Sequence, residues 1–304
     1  MGNTSSYLQS FFDYLQFEKR YSKHTIIAYK TDLLQFVDYL FVQYPDTKVE
    51  VVEPFMVRSW MAALKEKNEA GNKSIHRKAS SLKSFYRFLL KESVIIRSPL
   101  ATLVLPKLNK RLPSFLKEEE AFELISEKRI EGIIDEKDFW EQRTNHLIVK
   151  LFYESGIRLS ELINLKENQI DESYCQIRVL GKGNKERIVP ISKDLLTDMQ
   201  LYLTEKSNRL EGVDNFFVMK NGKALYPKKV YNAVKKLLSE VTSMQKKSPH
   251  ILRHSFATHL MNHGADLNAV KELLGHTSLA ATQVYTHNTI EKLKDIHKKA
   301  HPKA

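Results

Sequence analysis

Gln176-Ile-Arg-Val-Leu180, Gly181-Lys-Gly-Asn-Lys-Glu186 and Arg187-Ile-Val-Pro-Ile191 form one continuous stretch. Two runs rich in β-branched residues flank a glycine-containing turn, the pattern of a β-hairpin. Phe216-Phe-Val-Met219, ahead of Asn221-Gly222, suggests a third strand and turn. Around this hairpin the apolar residues recur at helical spacing. The expected fold is therefore mostly α with a small β-sheet, the sheet lying in an α+β C-terminal part.

Working outward, residues 3–97 read as mostly helical. Tyr7, Leu8, Phe11, Phe12 and Leu15 share one face, as do Ile26, Leu33, Val37 and Leu40 after Ser22. Ser22 or Thr25 is a candidate N-cap. Two more helices are expected at about 53–68 and 72–91. In the second, Ile75, Ala79, Leu82, Phe85, Tyr86 and Leu89 form one face, while His76, Arg77, Lys78, Lys83 and Arg87 lie mainly on the other. Those cations are either a solvated face or phosphate contacts, which fix position without reading sequence. Residues 98–116 break the pattern with Pro99, Pro106 and Pro113 among Lys107, Lys110 and Arg111. They read as a basic linker between a helical domain, 1–97, and a second domain, 117–304. Helices are expected near 117–127 and 138–154, and again over 227–300.

The 304 residues are enough for two domains, and an apolar share of 42% supports ordinary cores. Net charge is +12. Residues 1–110 hold 17 basic against 10 acidic residues, the remainder 31 against 26. Both parts can thus touch a polyanion, with nucleic acid the natural candidate. Cys175 is the only cysteine, so no intrachain disulfide can form and a cytoplasmic setting is expected. Cys175 reads as a small packing residue of a strand-like run. The N-terminus lacks the pattern of a secretory leader, and no apolar run approaches the roughly 18 residues of a membrane span.

Arg158, Lys182, His250, Arg253, His276 and Tyr285 follow one another through the second domain. A phosphodiester presents two anionic oxygens, an electrophilic phosphorus and a leaving oxygen. This set holds a partner for each, which points to metal-free phosphoryl transfer to a tyrosine. Ser248-Pro249 suits the N-cap and first position of a helix whose first turn carries His250 and Arg253. A helix N-terminus already favours an anion; the bland alternative is a capped helix with exposed polar residues. His250 and His254 have the spacing of a zinc helix, but Ile251 stands where that motif needs Glu, so no metal is expected. Arg158 is either a surface cation, with Glu161 to orient it, or a bidentate phosphate ligand. Lys182 sits between two glycines in a turn that lacks P-loop spacing. It is either solvated or a proton donor. Tyr285 is either packing or a nucleophile; with a reference pKa near 10 it needs a base and cations nearby. Lys228 and Lys229, with Lys235 and Lys236, are further candidate DNA contacts on a helix, or solubilising charges.

Glu154-Ser-Gly-Ile-Arg158-Leu-Ser-Glu-Leu162, Gly181-Lys-Gly-Asn-Lys-Glu-Arg187, His250-Ile-Leu-Arg253-His-Ser-Phe-Ala-Thr-His-Leu260, Leu273-Leu-Gly-His276 and Thr282-Gln-Val-Tyr285-Thr286 together resemble the tyrosine recombinase (phage integrase) family, and within it the Xer-like site-specific recombinases. Tyr21-Ser-Lys-His-Thr-Ile-Ile-Ala-Tyr29 resembles the opening of that family's helical core-binding domain. The resemblance implies a two-domain DNA clamp with a SAM-like N-terminal domain. It implies that Tyr285 attacks a phosphate to give a 3′-phosphotyrosyl link, with Arg158 and Arg253 clamping the non-bridging oxygens. Lys182 then protonates the 5′-oxygen, His250 assists proton transfer and His276 hydrogen-bonds the phosphate. It implies no cofactor, since the covalent link conserves the bond energy. The partners implied are a double-stranded recombination site, a homotetramer or a heterotetramer with a second recombinase, and an activator protein in some relatives. The segment from Ile290 looks like the helix that relatives dock onto a neighbouring protomer; the alternative is an amphipathic helix on its own domain. The role implied is Xer-type chromosome dimer resolution at cell division. The alternatives are a minimal integrase of a mobile element and a non-catalytic DNA-binding architectural protein.

Overall fold

A computed structural model describes residues 2–66, 71–107, 114–127, 136–181, 186–210 and 212–275, without the side chains of residues 2–3 and 136–138. The chain divides into two units, Met1–Arg111 and Leu112–Ala304.

The first unit is helical: α1 (Gly2–Asp13), running on through a π-helical turn (Tyr14–Glu18), then α2 (Lys23–Gln43), α3 (Pro54–Glu66) and α4 (Asn72–Lys91). Ser22 caps α2, its hydroxyl accepting from the Thr25 amide at 3.3 Å. The apolar faces converge on Phe11, Phe36, Trp60, Phe85 and Tyr86, all 1% exposed or less. Aromatic edges fill the core, with Phe11 and Phe85 centroids 5.4 Å apart and Phe36 and Trp60 5.0 Å apart. The described start of the Pro-containing segment also belongs to this core. Leu100 is buried in it, and the main-chain carbonyls of Pro106 and Lys107 accept from His76 Nε2 at 2.7 Å and Asn72 Nδ2 at 3.0 Å.

The second unit contains α5 (Glu118–Leu124), α6 (Glu136–Ser155), α7 (Leu159–Ile163), β1 (Ile170–Asp171), β2 (Gln176–Leu180), β3 (Glu186–Pro190), α8 (Lys193–Ser207), α9 (Pro227–Val241), α10 (Pro249–Asn262) and α11 (Leu267–Leu274). The expected hairpin forms, Ile177 opposite Val189 and Val179 opposite Arg187 in an antiparallel ladder. The third strand differs from expectation: it is β1, paired to β2, and not residues 216–219. Phe216, Phe217 and Val218 are wholly buried on both sides of the chain, around Tyr202, and reach other backbone only through isolated bridges. A strand buried on both faces and an irregular core segment have the same apolar run, so periodicity cannot separate them. The turn at Asn221-Gly222 is present, with Gly222 at φ +75°. Cys175 lies in the turn before β2 at φ +48°, not in the strand.

Three features aim the chain at one place. Helix α6 ends at Ser155, and Gly156 turns at φ +60° so that Ile157 is buried and Arg158 becomes the N-cap of α7. Helix α10 packs along α6, and α11 ends at Gly275, also left-handed at φ +62°. Leu116 closes the start of the unit: its amide donates to Ser255 Oγ at 2.8 Å and its carbonyl accepts from His259 Nε2 at 2.9 Å. No described helix is long and apolar enough to cross a membrane.

Gly156 is boxed in as well as left-handed. A Cβ there would lie 2.7 Å from Phe256 Cε1 and 3.0 Å from Leu274 Cδ2. Gly156→Ala is expected to destabilise the second unit by about 2–4 kcal/mol, from backbone strain plus overpacking. Thermal unfolding of the pair of proteins measures it.

Candidate active site

Arg158, Arg253 and a third arginine, Arg187, meet at the C-terminal end of α11. Arg158 Nη2 donates to the Gly275 carbonyl at 2.7 Å, Arg253 Nη2 to Leu274 at 2.6 Å, and Arg187 Nε to Leu273 at 2.9 Å. Three successive carbonyls that the helix itself leaves unpaired are thus each taken by a different guanidinium. The negative end of the helix dipole favours cations at this point. Arg253 reaches the site from the start of the second turn of α10, and its Nη1 also donates to the Gly156 carbonyl.

Among the described residues, Glu161 is the one carboxylate in the cluster. Its Oε1 accepts from Arg158 Nη1 at 2.8 Å and from Arg187 Nη1 at 2.6 Å, and its Oε2 from Arg187 Nη2 at 2.9 Å and the Arg158 amide at 2.7 Å. Burial works against its ionisation, but the hydrogen bonds and charge of Arg187, with those from Arg158, hold the carboxyl below its usual range. Among the described residues, three guanidiniums against one carboxylate leave an excess of two positive charges. Burial first, then the charges of Arg158 and Arg187, pull Arg253 down to about 9, with Glu161 opposing. It still carries its proton at neutral pH. A cluster short of negative charge in this way suits an oxyanion. Arg158, with 32% of its side chain exposed, is its accessible member, while Arg187 is 5% exposed.

His250 is exposed in the first turn of α10. Ser248 and Pro249 occupy the N-cap and first helical position as expected, although the Ser248 hydroxyl makes no capping bond. Of the other histidines on this helix, His259 is buried, donating from Nε2 to Leu116 and so accepting at Nδ1 from the Tyr153 hydroxyl at 2.9 Å. Among the described residues no group of three His, Cys, Asp or Glu side chains could hold a metal ion. Lys182, His276 and Tyr285 lie outside the described residues, as do Lys110, Arg111 and the tail from Ile290.

Arg187 is a member of the cluster that the sequence motifs do not mark. The signal was available: in β3 it has the parity of Val189, which is buried, so a strand reading alone turns the guanidinium inward. The α4 cations also separate. Lys83 and Arg87 are exposed, as expected of a solvated or phosphate-facing row. Lys78 is not: it is 7% exposed, 3.3 Å from Asp32 Oδ1 and bonded to Gln35. Standing three after Ile75 and four before Leu82, it falls on the apolar face. Arg77 is half-exposed and shares the fully buried Asp32 at 2.5 Å, with Ser81 on the same carboxylate at 2.8 Å. Lys107 and Lys228 are exposed, while Lys229 is partly covered and paired with Glu141.

Residues 8–93 match the family model described as Phage integrase, N-terminal SAM-like domain, and residues 123–292 the model described as Phage integrase family. The chain belongs to the phage integrase family, the tyrosine recombinases. Within it, the chain is 39% identical to the Tyrosine recombinase XerC of Chlorobaculum parvum, over 98% of this chain and 95% of that protein. It is 36% identical to the Tyrosine recombinase XerC of Anoxybacillus flavithermus over 100% of both. In fold it is similar to the XerH site-specific recombinase bound to palindromic difH substrate, with a TM-score of 0.70 at 23% identity over 89% of this chain and 78% of that one. It is also similar to the Tn1549 transposon integrase in complex with circular intermediate DNA, with a TM-score of 0.70 at 16% identity over 94% and 98%.

The Glu161 pairs have a pH signature. A carboxyl held below its ordinary value near 4.5 adds stability that is fully present above that value and is lost as pH falls through the lowered one. Glu161→Gln is expected to cost about 3–5 kcal/mol at pH 7. The gap to the parent protein should narrow as unfolding is measured at successively lower pH below 4.5.

The α4 cations can be told apart by salt. Lys83→Gln and Arg87→Gln are each expected to lower the salt slope of DNA binding by about 1 with little change in stability. Lys78→Met should instead destabilise the first unit by about 3 kcal/mol. Binding titrations at several salt concentrations, with thermal unfolding alongside, separate the two classes.

Proposed function

We infer that this protein is a Xer-type site-specific DNA recombinase, which cuts and rejoins duplex DNA through a 3′-phosphotyrosyl intermediate. The observation that carries this reading is the meeting of Arg158 and Arg253 on successive carbonyls at the end of α11, in a chain of this family. Two guanidiniums held side by side suit the two non-bridging oxygens of one phosphodiester.

The phenol of Tyr285 attacks phosphorus. The Oη–P bond forms as the P–O5′ bond breaks, the phenolic proton passes to His250, and the 5′-oxygen takes a proton from Lys182. His276 hydrogen-bonds the phosphate. The bond energy is kept in the phosphotyrosine, so a 5′-hydroxyl from a second duplex reverses the step and exchanges the strands. Neither a nucleotide nor a metal ion is called for by this balance. The excess of two positive charges stabilises the pentavalent transition state, whose equatorial oxygens carry more charge than the starting diester.

The substrate is a double-stranded recombination site held by both domains, with Lys83, Arg87, Lys107 and Lys228 among the phosphate contacts. The assembly is a tetramer on two duplexes, of one recombinase or of two. Residues 1–97 serve as the core-binding domain, 98–116 as the linker and 117–304 as the catalytic domain, working in the cytoplasm. The role is chromosome dimer resolution at cell division. Identities of 34–39% to XerC proteins over nearly the whole chain support that role over a mobile-element integrase.

A nicked suicide duplex carrying the host's candidate site, incubated with the protein in a chelating buffer, tests the reading. A covalent adduct should appear on a denaturing gel and be absent with Tyr285→Phe. Binding without any adduct would favour the architectural alternative.

A further inference from the structure

Arg187 stands on one element and touches two others, and each of the three leads to a different member of the proposed catalytic set. It stands on β3, the second residue after the segment 182–185 that holds Lys182. Its two terminal nitrogens grip both oxygens of Glu161, the same carboxylate that orients Arg158. Its Nε holds the Leu273 carbonyl, three residues before His276. The aliphatic part of the side chain is fixed as well, since a Cβ on Gly275 would lie only 3.0 Å from Arg187 Cδ. Every N–H group of a guanidinium fork has a defined direction, and here the Nε–H and one on each terminal nitrogen are engaged.

Its burial argues against direct contact with DNA, and its charge is costly there unless used. We propose that Arg187 is a positioning residue for the strand-cleavage reaction. By holding Glu161 bidentately from behind, it fixes the carboxylate against which the Arg158 guanidinium is aligned, and so sets where Arg158 meets the scissile phosphate. Without it, Glu161 would be free to pair with Arg158 through both oxygens, drawing that guanidinium off the phosphate and cancelling its charge. Arg187 thus keeps the carboxylate occupied, and the cluster retains its positive excess.

This inference rests on the recombinase reading, and the experiment separates the two. Single-turnover adduct formation is followed on the nicked duplex with a natural phosphate, and again with an uncharged methylphosphonate at the scissile position. The parent protein, Arg187→Gln, Arg187→Lys and Arg158→Ala are compared, with DNA affinity and thermal unfolding recorded for each. On phosphate, Arg187→Gln should slow cleavage by about 100-fold, the size expected of a misplaced catalytic group. On methylphosphonate, which asks less of the guanidinium, most of that loss should disappear, and Arg158→Ala should show the same pattern. A purely structural role would slow both substrates alike, and that result, or no slowing at all, overturns the inference while leaving the recombinase reading intact. No adduct from the parent protein overturns both. Where Arg187→Gln does not fold, Arg187→Lys is judged by the same comparison, since its single ammonium cannot reproduce the fork.

Discussion

Three carbonyl groups at the end of one helix hold the second unit's chemistry together. Leu273 and Leu274 end α11 and Gly275 caps it, where the helix has no amides left to offer their carbonyls, and each is taken by a guanidinium from a different element. The arginines arrive from β3, α10 and the N-cap of α7, three places far apart in the chain. Repulsion between three neighbouring cations, two of them buried, would normally drive them apart. The helix terminus and Glu161 offset it only in part, and the remaining excess is what makes the cluster receptive to an anion.

The first unit solves a related problem with the opposite outcome. Asp32 is fully buried among Arg77, Lys78 and Ser81, so two cations and a hydroxyl share one carboxylate between α2 and α4. Lys78 is spent inside, over the face of Trp60 at 5.9 Å, whereas Arg77 keeps half of its side chain in solvent. A basic helix therefore has two kinds of lysine and arginine. Those that fix its packing cannot also contribute fully to binding a polyanion.

Much of this was legible in the residues. Helical spacing located α2 and α4, because their apolar faces repeat over many turns, and Ser248-Pro249 marked the start of α10. The hairpin was legible because its β-branched runs flank glycines. Residues 216–219 have the apolar run of a strand without being one, because continuous burial erases the alternation that tells the two apart. Lys78 carries the charge of the exposed row but stands in the helical phase of the apolar face, and the phase decides its burial. Arg158 and Arg253 stood out by their motifs, but Arg187 did not. Its partners are 26 residues back at Glu161 and 86 residues on at Leu273, and such separations leave no local pattern.

Leu116 has a mechanical consequence. Its amide and carbonyl are both fastened to α10, through Ser255 and His259, and Ser255 lies two residues beyond Arg253 on that helix. A load at Leu116 therefore falls on α10 through two hydrogen bonds, as well as on the apolar core in which the Leu116 side chain is buried. That helix also bears His250 and Arg253, so the load reaches the helix whose guanidinium grips Gly156 and Leu274.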